Sequence, residues 1–205
     1  HYLLFSQYGP IPLIRKNANI DATGDELMPR REPVDEVVDY IVELLDEAIK
    51  GLPARVTNTS ELGRIDQVIA KSFKAKVLML AASPLFNNNP IYASFADKDG
   101  NLLFPTGDTN VEKEKWVKAA DALKEAITAA EAAGVKLYEF TKNVPDFDAG
   151  NYANDPRVKY MYNYQYAMVD KWNTELIWGA SRVYTDWHEI QRSVNFKSRD
   201  ESSTG

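Results

Sequence analysis

One apolar helix pattern, which ends at a serine–proline pair, constrains the fold more than any other feature of the sequence. It is the stretch "IDQVIAKSFKAKVLMLAASPLF", residues 65–86. From 66 to 82 apolar side chains cover most of the circumference of a helix, which predicts a central element of the fold. Pro84 has no N–H group and disfavours helical backbone at the residue before it, so we expect this helix to end at Ser83.

Two more helices are predicted from apolar stripes on either side of the central one. The first covers 34–50, after Pro33 at a position that suits a helix start. The second covers about 112–133, and Trp116 lies in its stripe, so we expect Trp116 in the core. The many alanines of this helix permit close helix contacts. Paired helices followed by a Trp-led helix suggest a tetratricopeptide-like layout, without a clean 34-residue period.

The connections predict loops and only short strands. "HYLLFSQYGPIPLI" is interpreted as a helix end followed by an extended, packed segment, and 83–110, rich in Asn, Pro and Gly, as a surface loop. "VKLYEF" predicts an extended segment, and "ELIWGAS" predicts a short strand. Between them, Pro156 favours a helix that stacks Tyr160 on Tyr164 and Tyr162 on Tyr166, although their spacing alone also fits a strand. The predicted fold class is mainly α.

Composition excludes several classes of function. The chain has 205 residues, 44% of them hydrophobic, enough for one domain or a piece of a larger one. Its net charge of −6 argues against a basic surface for nucleic acid, so we expect no nucleic-acid partner. With no cysteine, disulfides and thiolate metal sites are excluded. The chain opens without Met or a signal sequence, so we interpret it as an internal or processed segment whose anchor lies outside it.

The sequence contains no convincing catalytic or metal-binding motif. "HEIQR" begins at His188 like a zinc-protease motif, but Arg192 occupies the second ligand position. "DKDGN", residues 97–101, lacks the other carboxylates of a calcium loop and is better explained as a turn at Gly100. We therefore predict no enzyme activity, no catalytic residues, no metal and no cofactor.

Candidate ligand-binding residues come from a stretch in which aromatic and polar side chains mix without a regular period, "RVYTDWHEIQRSVNF". Aromatic rings stack on the apolar faces of sugars, and polar side chains bind hydroxyl groups. The candidates here are Arg182, Tyr184, Trp187 and His188. Trp172 and Trp178, in contrast, are predicted in the core.

Asn88 is a further candidate, because Asn87, Asn88 and Asn89 follow the end of the central helix. Two interpretations stay open for these asparagines. Their side chains can satisfy backbone groups of the loop, or they can donate to sugar hydroxyls.

Five segments in chain order resemble the SusD/RagB family of surface lipoproteins. They are "YGPIPLI" ahead of "VDEVVDYIVELLDEAIKGLP", then "GRIDQVIAKSFKAKVLMLAASPLFN", then the Trp-led helix, then "NTELIWG". The resemblance covers about 2–179. It implies that 1–205 is part of a SusD-like domain, with a tetratricopeptide-like helical scaffold over about 1–170 and an irregular ligand-side region over about 171–205. Members of this family are longer and carry a lipid-attachment cysteine, which is absent here.

The resemblance also implies a function. SusD-like proteins capture oligosaccharide or polysaccharide nutrients at the cell surface and pass them to a TonB-dependent outer-membrane transporter, the SusC-like partner. The expected location is therefore the outer membrane, with the lipid anchor outside this segment. Some relatives bind peptides, which is one alternative. Another is a tetratricopeptide-like adaptor that binds a protein partner.

Overall fold

The chain is mainly helical, as predicted. A computed structural model describes residues 1–24, 27–104, 108–141 and 156–179. Over these ranges its α-helices are α1 (Tyr2–Tyr8), α2 (Val34–Gly51), α3 (Gln67–Ala82), α4 (Thr109–Ala132) and α5 (Pro156–Val169). Two short 3-10 turns, Thr59–Glu61 and Pro90–Tyr92, lie in the connections.

Helix α3 begins and ends at the residues that the sequence signals indicate. Asp66 is its N-cap, and its carboxylate accepts a hydrogen bond from the backbone N–H of Ile69 at 3.0 Å. At the other end Ser83 has extended backbone, with its N–H bonded to the carbonyl of Leu80. The predicted stop before Pro84 is therefore confirmed.

Helix α3 lies between α2 and α4 and runs antiparallel to both. Gln67, at the start of α3, donates from its side chain to the carbonyl of Leu52, just after α2, at 2.8 Å. Lys71, also early in α3, pairs at 3.0 Å with Glu125 in the second half of α4. These pairs place the start of α3 beside the ends of its two neighbours, so the three helices form an up-down-up scaffold.

Alanines, not the large residues, form the contact between α3 and α4. Ala75 of α3 is 1% exposed and packs against Ala122 and Ala126 of α4. Trp116 is 45% exposed, so the prediction that it lies in the core is wrong. The reason is side-chain size, because helices approach most closely along a line of small residues. Large residues of the same stripe, such as Ile127, lie beside that line and remain exposed.

The main core combines α1, α2 and α3 with part of the 83–108 connection. Phe86 is 4% exposed and packs on Phe5 of α1, with ring centroids 4.7 Å apart, and it stacks near Phe104 at 6.3 Å. The connection was predicted to be a surface loop. That prediction is incomplete, because Phe86 and Phe104 of the connection lie in the core between the helices. Gly9 permits this packing, because its φ is +67° and a Cβ there would lie 2.9 Å from the ring of Phe104.

The predicted strand at "ELIWGAS" does not form over 175–179, where the backbone makes turns and a bend. Within the part of the chain that the structure describes, the isolated bridge between Ala96 and Leu102 is the one β-pairing recorded. Trp172 has a positive φ of +53°, and the side chain of Asn173 accepts a hydrogen bond from the N–H of Glu175 at 2.9 Å. Both features favour turns over extended pairing. Residues 180–181 lie outside the described residues.

Candidate functional site

Helix α5 presents an exposed face of tyrosines. Tyr160 and Tyr164 are 69% and 79% exposed. Tyr162 and Tyr166 lie on the opposite side, where they pack on Phe140 with ring centroids 5.1 and 4.4 Å away. This split follows from the helical repeat of 3.6 residues, which turns positions two apart to opposite faces. We call Tyr160 and Tyr164 the tyrosine face.

The structure supports the helical interpretation of "YMYNYQY" over the strand alternative. Tyr162 and Tyr166 contact each other at 6.0 Å, as the helix prediction required. Helix α5 begins at Pro156, the residue that the sequence indicated as its start. The tyrosine face was not among the predicted ligand residues. The signal that could have found it is the four-residue spacing of Tyr160 and Tyr164, once the segment is taken as a helix.

The extended segment 135–141 packs along one side of α5. The backbone N–H of Phe140 donates to the side-chain oxygen of Asn163 at 2.8 Å. Glu139 pairs with Lys159 of α5 at 2.7 Å, and this hydrogen-bonded pair lowers the pKa of Glu139 and raises the pKa of Lys159. Stacked rings and two polar pairs thus fix α5 to this segment.

A second attachment is made by the hydroxyl of Tyr138, which donates to the carboxylate of Asp170 just after α5. This hydrogen bond, together with desolvation and the negative charge of Asp170, raises the pKa of Tyr138 to about 12. The tyrosine is therefore a neutral donor at physiological pH. Asn173 then closes the end of α5 by donating to the carbonyls of Ala167 and Asp170 at 2.8 and 2.9 Å.

Residues 176–178 return from α5 to the scaffold. Arg55 donates to the carbonyls of Leu176 and Ile177 at 3.2 and 3.1 Å, and the indole N–H of Trp178 donates to the carbonyl of Gly63 at 3.2 Å. Trp178 is 54% exposed, so its predicted place in the core is wrong. A hydrogen bond of its N–H to a surface loop, rather than burial of its ring, sets its position.

Trp172 is 37% exposed, which also contradicts the prediction of a core position. Its positive φ places it in a turn, where its ring faces Gly179. A Cβ at Gly179 would lie 3.2 Å from that ring and 2.8 Å from the side chain of Leu176. The ring of Trp172 therefore lies close to the backbone of Gly179.

The three asparagines after α3 are used mainly for local structure. Asn87 is buried and donates to the carbonyls of Ala82 and Glu112 at 3.2 and 3.1 Å. Asn89 accepts from the N–H of Ile91 and caps the following turn. These bonds agree with the backbone-satisfying interpretation for Asn87 and Asn89.

Asn88, the predicted ligand residue of this loop, is half-buried and has a φ of +54°. Its amide nitrogen donates to the carboxylate of Glu112 at 3.2 Å. The other predicted ligand residues, Arg182, Tyr184, Trp187 and His188, lie outside the described residues. Their role stays a prediction.

The segment 97–101 forms the predicted turn. A carboxylate oxygen of Asp97 accepts from the backbone N–H groups of Asp99 and Asn101, both at 2.9 Å. Hydrogen bonds from the side chain and the backbone of Asn101 lower the pKa of Asp97. Gly100 has the positive φ of +87° that the turn requires. The carboxylate of Asp97 therefore forms its hydrogen bonds within the turn.

Across 1–24, 27–104, 108–141 and 156–179, no group of three or more His, Asp or Glu side chains is placed to hold a metal ion. None of the helices in those ranges is both long and apolar enough to cross a membrane.

An apolar groove is lined by residues of α3, α4 and the two segments beside them. Its volume is about 350 Å³, and alanines of both helices line it. The larger apolar side chains of its lining include Leu123 and Ile127 of α4, with Leu137 and Ile177. The groove continues the exposed apolar stripe of α4, which includes Trp116.

Comparison with solved structures finds similarity to the protein BT4246. Two structures of BT4246, a Bacteroides thetaiotaomicron protein, match 91% of this chain. The first superposes with a TM-score of 0.72 at 32% identity, and the second, of the selenomethionine protein, with 0.66 at 30%. The chain resembles part of BT4246. It spans 33% of the length of the BT4246 chain, so the comparison concerns a third of that protein.

The similarity to BT4246 supports the helical fold and carries no statement about a ligand. No protein-family model matches the chain. No curated protein matches it.

Proposed function

We propose that this chain is part of a SusD-like surface protein that binds oligosaccharide or polysaccharide nutrients and delivers them to a TonB-dependent transporter. The observation that carries the glycan-binding part is the tyrosine face of α5, where Tyr160 and Tyr164 expose 69% and 79% of their surface. The family part rests on the sequence resemblance. Similarity to BT4246 over 91% of this chain supports the fold that this resemblance implies.

Exposed tyrosines one helical turn apart suit a sugar chain. The ring faces offer apolar surface to the C–H groups of a sugar, and the hydroxyl groups hydrogen-bond with its polar edges. Positions four apart in a helix lie about 6 Å from each other, roughly the repeat of adjoining sugar rings along a chain. The ionic pair of Lys159 and Glu139 lies beside this face and adds donors and acceptors at its border.

The mechanism that we propose is binding followed by hand-over, without chemical change of the ligand. The SusC-like transporter is the proposed partner, and nucleic acid is excluded from the proposal by the net charge of −6. The proposed location is the outer surface of the outer membrane. There a lipid anchor would hold the protein beside its transporter.

The direct test is calorimetric titration of the intact protein with a panel of oligosaccharides and peptides. Tyr164→Ala should weaken binding of the best glycan about ten-fold, because one stacking contact is lost. Tyr8→Ala is the matched control, since Tyr8 is a 61% exposed tyrosine on α1. Equal affinity in both variants, or binding of peptides alone, would contradict the glycan site on α5.

The partner is tested by affinity capture of the intact protein from outer membranes. We expect a TonB-dependent transporter in the captured material and no nucleic acid.

A ligand recovered unchanged after incubation, checked by chromatography, supports binding without catalysis. Release of shorter sugars would contradict it.

The adaptor is the second candidate, and a specific observation favours it. Helix α4 exposes Trp116, Val117 and Ile127, with 45%, 58% and 57% of their surface accessible, and its stripe leads into the apolar groove. Exposed apolar stripes of this kind serve as protein-binding surfaces. Capture of a soluble protein that is lost in Val117→Asp would favour this function over the first.

A further inference from the structure

Helix α5 is joined to the scaffold by non-helical segments and not by helix packing. Extensive packing among the described helices is confined to α3 with α4, α2 with α3, and α1 with α2. Helix α5 rests on 135–141 and continues into 170–179. The orientation of its tyrosine face therefore depends on where these two segments are anchored.

The anchor lies at the start of α3 and is centred on Arg55. One guanidinium nitrogen of Arg55 donates to the carbonyl of Ile177 at 3.1 Å and to Asp66 at 3.3 Å. The other donates to the carbonyl of Leu176 at 3.2 Å. Asp66 is 2% exposed and is itself fixed as the N-cap of α3. The planar guanidinium thus bridges the scaffold and the segment that follows α5.

The two supporting segments are also bonded to each other, so the anchor at Arg55 acts on both. The backbone N–H of Lys136 donates to the carbonyl of Thr174 at 3.0 Å. The N–H of Tyr138 donates to the carboxylate of Glu175 at 3.1 Å. A displacement of 176–177 would therefore move 135–141 and, with it, the stacked rings beneath α5.

We propose that Arg55 is a positioning residue, which fixes the orientation of the tyrosine face relative to the three-helix scaffold without contacting ligand. The glycan role of that face rests on the proposed function, whereas the positioning role does not. Arginine suits it because its rigid fork spans several acceptors in one plane, and its charge offsets the buried carboxylate of Asp66. Lysine would keep the charge but could not hold both carbonyls in this geometry.

The orientation of α5 can be measured directly, because none of residues 1–205 is a cysteine. Cysteines at Glu43 on α2 and Met168 on α5, both exposed, accept spin labels for a distance measurement between electron spins. The parent double-labelled chain should give one narrow distance distribution. Arg55→Ala should broaden it and should speed amide hydrogen exchange at Lys136 about ten-fold. An unchanged distribution and unchanged exchange would overturn the proposal.

The matched control is Arg64→Ala. Arg64 lies in the same connection and is exposed, and within the described part of the chain its guanidinium pairs with Glu61 at 2.8 Å. The Arg64→Ala variant removes the same charge and keeps the bonds of Arg55 to Leu176 and Ile177. Its distance distribution should therefore equal that of the parent chain. Broadening of equal size in Arg64→Ala would show a general charge effect and overturn the role of Arg55.

Arg55→Lys covers the case in which Arg55→Ala fails to fold because Asp66 loses its partner. The Arg55→Lys variant should fold, because its ion pair with Asp66 is retained, and it should still broaden the distance distribution. A distribution equal to that of the parent chain would overturn the proposal. The spin labels report the distance between α2 and α5 in the absence of ligand. If the Arg55 variants broaden the distribution but the protein binds no glycan, the proposed function is refuted and the positioning role stands. If the protein binds glycan but α5 does not move in the Arg55 variants, the positioning role alone is refuted.

Discussion

The three-helix scaffold and the α5 region are built in different ways from similar residues. In the scaffold, α3 and α4 meet along alanines, and Phe86 fills the space between the helices and the 83–108 connection. In the α5 region, ring stacking on Phe140 and hydrogen bonds to backbone carbonyls hold the parts together. The difference teaches that apolar burial fixes the scaffold, while ring stacking together with polar contacts between distant parts of the sequence fixes the helix that carries the candidate site.

The largest effect that separates the two regions should come from Phe86→Ala. Removal of this buried ring leaves a cavity in the main core, so unfolding free energy should fall by about 3–5 kcal/mol in urea denaturation. Leu85→Ala is the neighbouring control, since Leu85 is 45% exposed, and it should cost less than about 1 kcal/mol. Equal losses in the two variants would show that the connection is not part of the core.

The next effect concerns the alanine contact. Ala122→Leu inserts a larger side chain where α4 touches Ala75 of α3, and overpacking should cost about 1–3 kcal/mol. Ala120→Leu, on an exposed position of the same helix, should stay within about 0.5 kcal/mol of the parent chain. A stable Ala122→Leu variant would mean that α3 and α4 can separate without cost.

A smaller effect is expected from Trp116→Ala. A fully buried tryptophan would cost about 3–5 kcal/mol, but 45% exposure reduces the area withdrawn from water, and we expect about 1–2 kcal/mol. Thermal melting and urea denaturation measure the loss. A loss at the upper end of the buried range would indicate that Trp116 is covered in solution and would count against the adaptor function, which needs this face of α4 exposed.

Some parts of the fold could be predicted from the sequence, and others could not. The ends of α3 follow from Asp66 and Pro84, whose effects are local and act wherever the helix is placed. The buried face of α4 could not be predicted from hydrophobicity, because Trp116 and Ala122 both count as apolar and only their size separates them. The contact of Arg55 with Leu176 joins residues 121 apart and leaves no periodic signal in the sequence.

The candidate site was predicted less well than the fold for a related reason. The tyrosine face requires the helical interpretation of α5, which periodicity alone left open. The asparagine loop gave two chemically sound interpretations, and the bonds of Asn87 and Asn89 agree with the structural one. The predicted residues 182–188 lie outside the described ranges and stay a prediction.

The smallest effect should be visible only in titration. The pKa of Tyr138 in the folded chain is about 12, above the value of about 10 for an unperturbed tyrosine. Its bond to Asp170 therefore contributes stability that is fully present below about pH 10 and is lost as pH rises through about 12. The absorbance difference between the parent chain and Tyr138→Phe should report a phenol that ionises near pH 12. A difference centred near pH 10 would mean that this attachment of α5 is absent.

The bond between Arg55 and Leu176 also sets an order of events in folding. Closing a loop of 121 residues in an unfolded chain costs roughly 4 kcal/mol of entropy, more than these hydrogen bonds return. Once α3 and α4 have paired, the distance that remains to be closed is short, and the cost falls. Arg55 is synthesised long before Leu176 and can pair with Asp66 while it waits. The helix that carries the tyrosine face is therefore expected to be fixed in place last, on a scaffold that is already complete.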